Sequence, residues 1–162
     1  MIFTVPFIII ISLLFVLVFL FARTIDKRIW VSLIISIVLT PVLYFYVLYP
    51  LINIFSDYHH EKHFEAKAWK KTPAYRYEMA YDLEHSKLLL GKSKSEITTL
   101  LGKPEWFSWN DAIKANDTNF WNYNLGIKPG AFNKTQECIK ITFENNVAKG
   151  IEHYQLEQQF NE

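Results

Sequence analysis

The chain has one cysteine, five glycines and two long stretches with no charge at all. A single Cys138 excludes an internal disulfide. Nothing beside it in sequence would lower a thiol pKa, so it reads as a small core or sheet-face residue and not as a nucleophile. No Asp, Glu, Lys, Arg or His lies between Met1 and Ala22 or between Ile29 and Ser56. A transport or proton-relay role within those stretches would need one. An excess of one charge sign is also missing, since the net charge is +1. Setting aside Arg23, Asp26, Lys27 and Arg28 takes the totals from 17 basic and 16 acidic residues to 14 and 15. A nucleic-acid surface needs a concentrated basic patch, which this balance does not supply.

What is there is two different chains joined end to end. The apolar runs Ile2–Ala22 and Ile29–Tyr49 each reach roughly 30 Å as a helix, the thickness of a hydrocarbon core. They are apolar on every face, unlike the surface helices of a soluble domain. The first run lacks the basic start and the small-x-small site of a cleaved leader. No cysteine precedes Cys138, so a lipoprotein signal fails too. With six residues between the runs, the expectation is a transmembrane helical hairpin over residues 1–56, with helices about 2–22 and 29–49.

Trp30 at one end of the second helix and Tyr44, Tyr46 and Tyr49 at the other match an interfacial belt, and Pro41 predicts a tolerated kink. Arg23, Lys27 and Arg28 hold the connecting loop on the cytoplasmic side. That places both termini outside, although Lys62, Lys67, Lys70 and Lys71 pull the other way.

Residues 57–72 read as a juxtamembrane helical linker, with a short helix over Phe64–Lys71. His59 and His63 are four apart and could share a helix face. The spacing of His60 and His63 is one residue short of the zinc-protease pattern, and no metal site is assigned. Residues 73–162 read as one domain, large enough to bury a core. Thr72 is the expected N-cap and Pro73 the first residue of a helix. Tyr75, Met79, Leu83 and Leu90 form its core stripe, and Arg76, Glu78, Asp82 and Glu84 solvate it.

Ser93 and Glu96 form a capping box. Ile97, Leu100 and Leu101 follow at helical spacing, Gly102 stops the helix and Pro104 prevents its continuation. Gly91 allows the turn before it. These five residues, Gly91, Ser93, Glu96, Gly102 and Pro104, are the fold-determining positions.

Beyond Pro104 the period becomes two. Trp121, Tyr123 and Leu125 mark one strand. Ile139, Ile141 and Phe143 mark a second. Val147, Ile151 and Tyr154 mark a third, with Asn145-Asn146 a fair hairpin turn. The expectation is an α+β domain with three antiparallel strands, helices over one face, a long loop over Gly126–Gln136 and a polar tail after Gln155. Trp106-Phe-Ser-Trp109 is expected in a loop. Three large aromatics in four residues make Trp106, Phe107 and Trp109 the possible partner contact. Trp121 and Tyr123 are weighed as exposed aromatics against the plainer reading as core.

In their order, Leu89-Leu-Gly-Lys-Ser-Lys-Ser-Glu-Ile97, Leu100-Leu-Gly-Lys-Pro104, Phe120-Trp-Asn-Tyr123 and Ile139-Lys-Ile-Thr-Phe-Glu-Asn-Asn-Val147 give a segment, about 73–155, that resembles the SmpA/OmlA (BamE-like) domain of bacterial envelope proteins. The resemblance implies an ααβββ fold, an envelope location and a non-enzymatic role in protein–protein contacts. Members of that family are outer-membrane lipoproteins that assist β-barrel assembly; here a transmembrane hairpin stands in place of the lipidated cysteine.

Together these readings lead to the expectation of a multi-pass protein of the bacterial inner (cytoplasmic) membrane, with its C-terminal domain on the extracytoplasmic side. Its partners would be the bilayer and another envelope or membrane protein. No catalytic residue and no cofactor are assigned. For an enzyme the candidates are His85 or His153 with Asp82, Glu84 or Glu152, and none sits in a motif that positions a nucleophile with its base. The third class, a membrane-bound sensor or ligand-binding module, would have only a six-residue cytoplasmic loop through which to signal.

Overall fold

A computed structural model describes residues 1–157, which form two compact units, one holding residues 2–60 with 129–132, the other 61–128 with 133–157.

In the first unit α1 (Val5–Ile25) and α2 (Ile29–Leu43) pair antiparallel across a turn at Asp26–Arg28. Asp26 fixes that turn by accepting from the Arg28 backbone at 2.8 Å and pairing with its guanidinium, which holds the Asp26 carboxyl down to about 2. A π-helical turn, Tyr44–Leu48, and α3 (Tyr49–Phe55) continue α2 without a break. Pro50 gives the physical reason for the wide turn. A proline cannot donate to the carbonyl four residues back and its ring collides with it; the wider turn, in which Tyr49 N–H reaches the Tyr44 carbonyl, moves that carbonyl aside. The second apolar helix therefore runs Ile29–Phe55, past the expected end at Tyr49.

Both long helices are long and apolar enough to cross a membrane, with mean hydropathies of 3.1 and 2.3. Only 17% and 22% of their most apolar windows are buried, which is not the condition of core helices in a soluble protein. α2 buries a small polar stripe, Ser32, Ser36 and Thr40, spaced one turn apart, while α1 buries Phe7, Val18 and Ala22. Residues 129–132 join this unit through Ala131, whose N–H donates to the Asn53 carbonyl at 2.9 Å.

In the second unit α4 (Ala66–Lys71), a 3-10 turn (Pro73–Tyr75), α5 (Tyr77–His85) and α6 (Lys94–Leu101) precede four strands. These are β1 (Trp106–Asn110), β2 (Ala115–Gly126), β3 (Thr135–Glu144) and β4 (Val147–Glu157), antiparallel in the order β1-β2-β3-β4. The sheet has four strands where three were expected. The extra one is Trp106–Asn110, expected as a loop. A bulge between Phe107 and Ser108 shifts its pairing with β2, and so erases the alternation that would have marked a strand.

The core lies between the helices and one sheet face. Trp69, Met79, Leu83, Leu89, Ile97 and Leu101 meet Trp121, Tyr123, Leu125, Ile139, Ile141 and Phe143. Trp69 comes from the segment read as a linker, and its indole N–H donates to the Leu101 carbonyl at 3.1 Å.

The expected helix from Pro73 to Leu90 is divided. Thr72 gives no side-chain cap; its hydroxyl donates back to Ala68 O at 2.9 Å. Lys87, with φ +53, ends the path of α5. Tyr75 and Leu90 are consequently exposed, and Leu89 takes the core place. The capping box is as the residues dictate: Ser93 N–H donates to Glu96 at 2.8 Å and the serine hydroxyl accepts from Glu96 N–H. Gly91 and Gly102 both take positive φ. Asn145 and Asn146, also at positive φ, make the β3–β4 turn.

Candidate functional site

Two clusters in the sheet unit combine polar chemistry with defined geometry. Arg76 anchors the first. Expected on the solvated face of its helix, it is buried. Its guanidinium lies 4.8 Å from the centre of the Trp69 ring and donates to Trp69 O (2.9 Å), Glu105 Oε1 (2.7 Å) and Asn124 O (3.0 Å). The other Glu105 oxygen accepts from the Asn124 backbone. One side chain thus ties α4, the 3-10 turn, the approach to β1 and the end of β2 together. The correction follows from helical phase: Arg76 stands three, four and seven residues before Met79, Ala80 and Leu83, on the buried stripe itself.

Glu137 anchors the second cluster. It sits at the end of the inward row Ile139, Ile141, Phe143 and is fully buried. Its Oε1 accepts from Gln155 Nε2 at 2.8 Å and lies 3.4 Å from Lys128 Nζ. Its Oε2 stands 2.6 Å from His153 Nε2. The register explains the meeting, since Glu137 pairs with Gln155 and Ile139 with His153 on β4. The histidine's carboxylate is thus Glu137 and not Glu152, which instead pairs with Lys140 at 2.5 Å on the opposite face. Burying a carboxylate costs unless its oxygens are engaged; here Oε1 has the Gln155 hydrogen bond and the Lys128 ion pair, whereas Oε2 meets His153 Nε2 without hydrogen-bond geometry. Period two was the available signal: Glu137 is in phase with the isoleucines of β3, and His153 and Gln155 with Ile151 of β4.

Burial pushes the Cys138 thiol up to about 11 and the Tyr154 phenol up to about 12. Both lie on the outer sheet face, where Tyr154 donates to Asn122 Oδ1 at 2.9 Å and Asn122 donates to Ser108 at 3.0 Å. Raised in this way, the thiol is less of a nucleophile than a free cysteine.

The remaining histidines have separate partners. His63 Nδ1 is 3.1 Å from Asp82 Oδ1, and the other Asp82 oxygen accepts from Phe64 N–H at 2.7 Å. His59 lies near Asp57 O at 3.2 Å, and His85 stacks on Tyr81 with ring centres 3.9 Å apart. In the helical unit His60 is ringed by Phe7, Tyr44, Phe45, Tyr49 and Tyr58, with centres 4.7 to 5.8 Å away.

The expected contact residues are split by the strand they form. Phe107 packs against the core. Trp106, half-buried, pairs with Asn122 on the outer face. Trp109 is 59% exposed, and Ile113, in the β1–β2 turn, is 58% exposed. Trp121 and Tyr123 are core residues, so of the expected aromatics Trp109 alone is exposed, beside Ile113; Tyr75, Tyr81 and Ile127 are exposed elsewhere on the unit. β1 is an edge strand, hydrogen-bonded on one side to β2. A shallow cleft of about 490 Å³ lies elsewhere on the unit, lined by Pro73, Tyr75, Tyr77, Asn124, Ile127 and Gln136. No family model, curated protein or solved structure matches the chain.

Proposed function

We propose that this chain is a membrane-anchored, non-catalytic adaptor of the bacterial envelope, whose sheet unit is BamE-like and takes part in envelope or outer-membrane assembly through protein–protein contacts. The helical hairpin holds it in the inner membrane, with the C-terminal domain on the extracytoplasmic side. The observation that carries this reading is the β1–β2 hairpin: a short edge strand whose outer side pairs with no strand among the described residues, flanked by outward Trp109 and Ile113. An open edge with an aromatic beside it suits strand addition by a partner, in which main-chain bonds give affinity and a side-chain anchor gives specificity. The order helix, capped helix, antiparallel meander supports the family resemblance; the sheet has one strand more than that family's pattern.

The test is photocrosslinking in intact membranes from a benzoylphenylalanine at Trp109, with the same probe at exposed Lys87 as control. One defined envelope protein captured from position 109 and not from 87 is the expected result. Identical patterns from both positions, or none from 109, would remove the support.

A second reading, a ligand-binding module, is favoured by the cleft beside Tyr75, Tyr77 and Asn124. Perturbation of amide signals at those residues by an envelope-derived small molecule would bring it forward.

A further inference from the structure

The two oxygens of buried Glu137 are held unequally. Oε1 accepts from the Gln155 amide at 2.8 Å, and Lys128 Nζ stands 3.4 Å from it, an ion pair longer than a hydrogen bond. Oε2 and His153 Nε2 are 2.6 Å apart and both enclosed, yet neither completes a hydrogen bond. One carboxylate thus faces two side chains that carry positive charge, Lys128 from the loop after β2 and His153 from β4. The lysine is charged throughout the neutral range, whereas an imidazole gains or loses its charge between about pH 5 and 8. Among the described residues, the other charges of the surrounding elements are engaged elsewhere or exposed. Lys140 pairs with Glu152 on the opposite sheet face and Arg76 with Glu105. On α5, Glu78 pairs with Lys62 and Asp82 with His63. Lys134 in the loop and Glu157 at the end of β4 are exposed. Cys138 and Tyr154, on the outer face, are kept neutral by burial.

We infer that this cluster is a proton-operated latch on the loop after β2, in which His153 and Lys128 compete for the single carboxylate of Glu137. With His153 neutral, Lys128 alone balances the buried charge and holds the root of the loop, which Asn133 closes by donating to the Lys128 carbonyl at 3.1 Å. A proton taken up by His153 turns the open contact at Oε2 into a charge-assisted hydrogen bond, stronger than a neutral one. It also sets a second positive charge beside the lysine. Lys128 is the more loosely held of the two, by an ion pair without a hydrogen bond, so it is the one displaced. The end of β4 then tightens against β3 while the loop over residues 127–134 is released. Thermodynamic linkage makes the exchange reciprocal: an acidic group that drew Lys128 away would favour the proton on His153.

The experiment is amide hydrogen exchange of the full chain in lipid nanodiscs, read as protection relative to the intrinsic rate at each pH. From about pH 8 to about pH 5.5, across the imidazole range, the loop amides of 127–135 should lose protection about 3- to 10-fold. Those of 153–156 should gain it over the same interval, an opposite sign that general loosening of the fold cannot produce. His153→Gln, which keeps a neutral donor near Oε2, should hold the loop protected at both ends of the range, and Lys128→Met should leave it open at both. His63→Gln alters the other histidine beside a carboxylate and should change neither. Glu137→Gln removes the charge for which both cations compete, so the pH response should vanish with it. A response that survives His153→Gln or Glu137→Gln, a wild-type loop that gains protection in acid or stays unchanged, or a Lys128→Met loop as protected as the wild type at the upper pH would each overturn the latch.

Discussion

The two units solve the same problem in opposite directions. The sheet unit turns indole, isoleucine and leucine inward and, among its described side chains, buries Arg76, Asn122 and Glu137 only with partners in place. The hairpin unit turns most of its isoleucine and leucine outward and hides Ser32, Ser36 and Thr40 alongside Phe7, Val18, Ala22 and Tyr44. In water, apolar burial stabilises the inside. In hydrocarbon, apolar contact is equally available outside, so close packing of small residues and internal hydrogen bonds take over. A single average hydropathy, +0.05 for the whole chain, conceals the contrast.

The comparison is broken most severely at Trp69. Trp69→Ala empties the centre of the sheet unit and leaves the Arg76 guanidinium without its ring. A loss of about 4 kcal/mol is expected, seen as a lower midpoint in urea by far-UV circular dichroism, with the hairpin's helical signal retained in detergent.

Gly126→Ala comes next, for a backbone reason. At φ +91, an added Cβ would stand 2.3 Å from the Ala74 carbonyl oxygen. Strain and displacement together should cost about 3 kcal/mol, and the 73–75 turn should lose amide protection in hydrogen exchange. Glu137→Gln should cost about 2 kcal/mol, less than a fully enclosed pair would, because Lys128 and His153 both reach water at their edges. If Glu137→Gln were instead neutral, the buried cluster would be incidental to the fold.

Asp82 sharpens the contrast through pH. The Phe64 N–H, and after it His63, hold its carboxyl below the ordinary value of 3.8. A depressed carboxylate contributes stability that is present above its unfolded value and is lost as pH falls through the folded one. The wild-type sheet unit should therefore lose stability below about pH 4 more steeply than Asp82→Asn, while at pH 7 the variant is the weaker of the two. Thermal midpoints across pH 2 to 7 measure this.

How much of this was legible in the sequence depended on whether local pattern and tertiary need agreed. Where they agreed the reading was direct. The charge-free runs gave the two long helices. Ser93-Lys-Ser-Glu96 gave its cap, Asn145-Asn146 its turn, and the rows of β2 and β3 their inward faces. It failed where one residue type broke the pattern for a reason elsewhere in the fold. Arg76 and Glu137 occupy apolar phase but are charged, and their partners are up to 48 residues away. The bulge at Phe107 hid β1, and the effect of Pro50 on the preceding turn appears only when helix hydrogen bonds are counted one by one. Trp69, assigned to a linker, shows that a short helix with no caps of its own can still be core when a distant carbonyl receives its indole.

The smallest expected effect on stability tests the proposed contact surface itself. Trp109 and Trp69 are the same residue type in the same unit, yet Trp109 is 59% exposed and its indole reaches only the nearby Asp111 carboxylate at 3.1 Å. Trp109→Ala removes no core atoms, leaves the β1–β2 backbone pairing intact and should change unfolding stability by less than about 0.5 kcal/mol. If the hairpin is a docking edge, that substitution should nonetheless reduce crosslinking to the partner from a probe at Ile113 by tenfold or more, since a single aromatic anchor often carries well over 1.4 kcal/mol of an interface. A large stability loss would instead make Trp109 a lid over the sheet, and unchanged crosslinking would move the contact to another face. The pair of measurements therefore separates an aromatic kept outward for a partner from one kept inward for the fold.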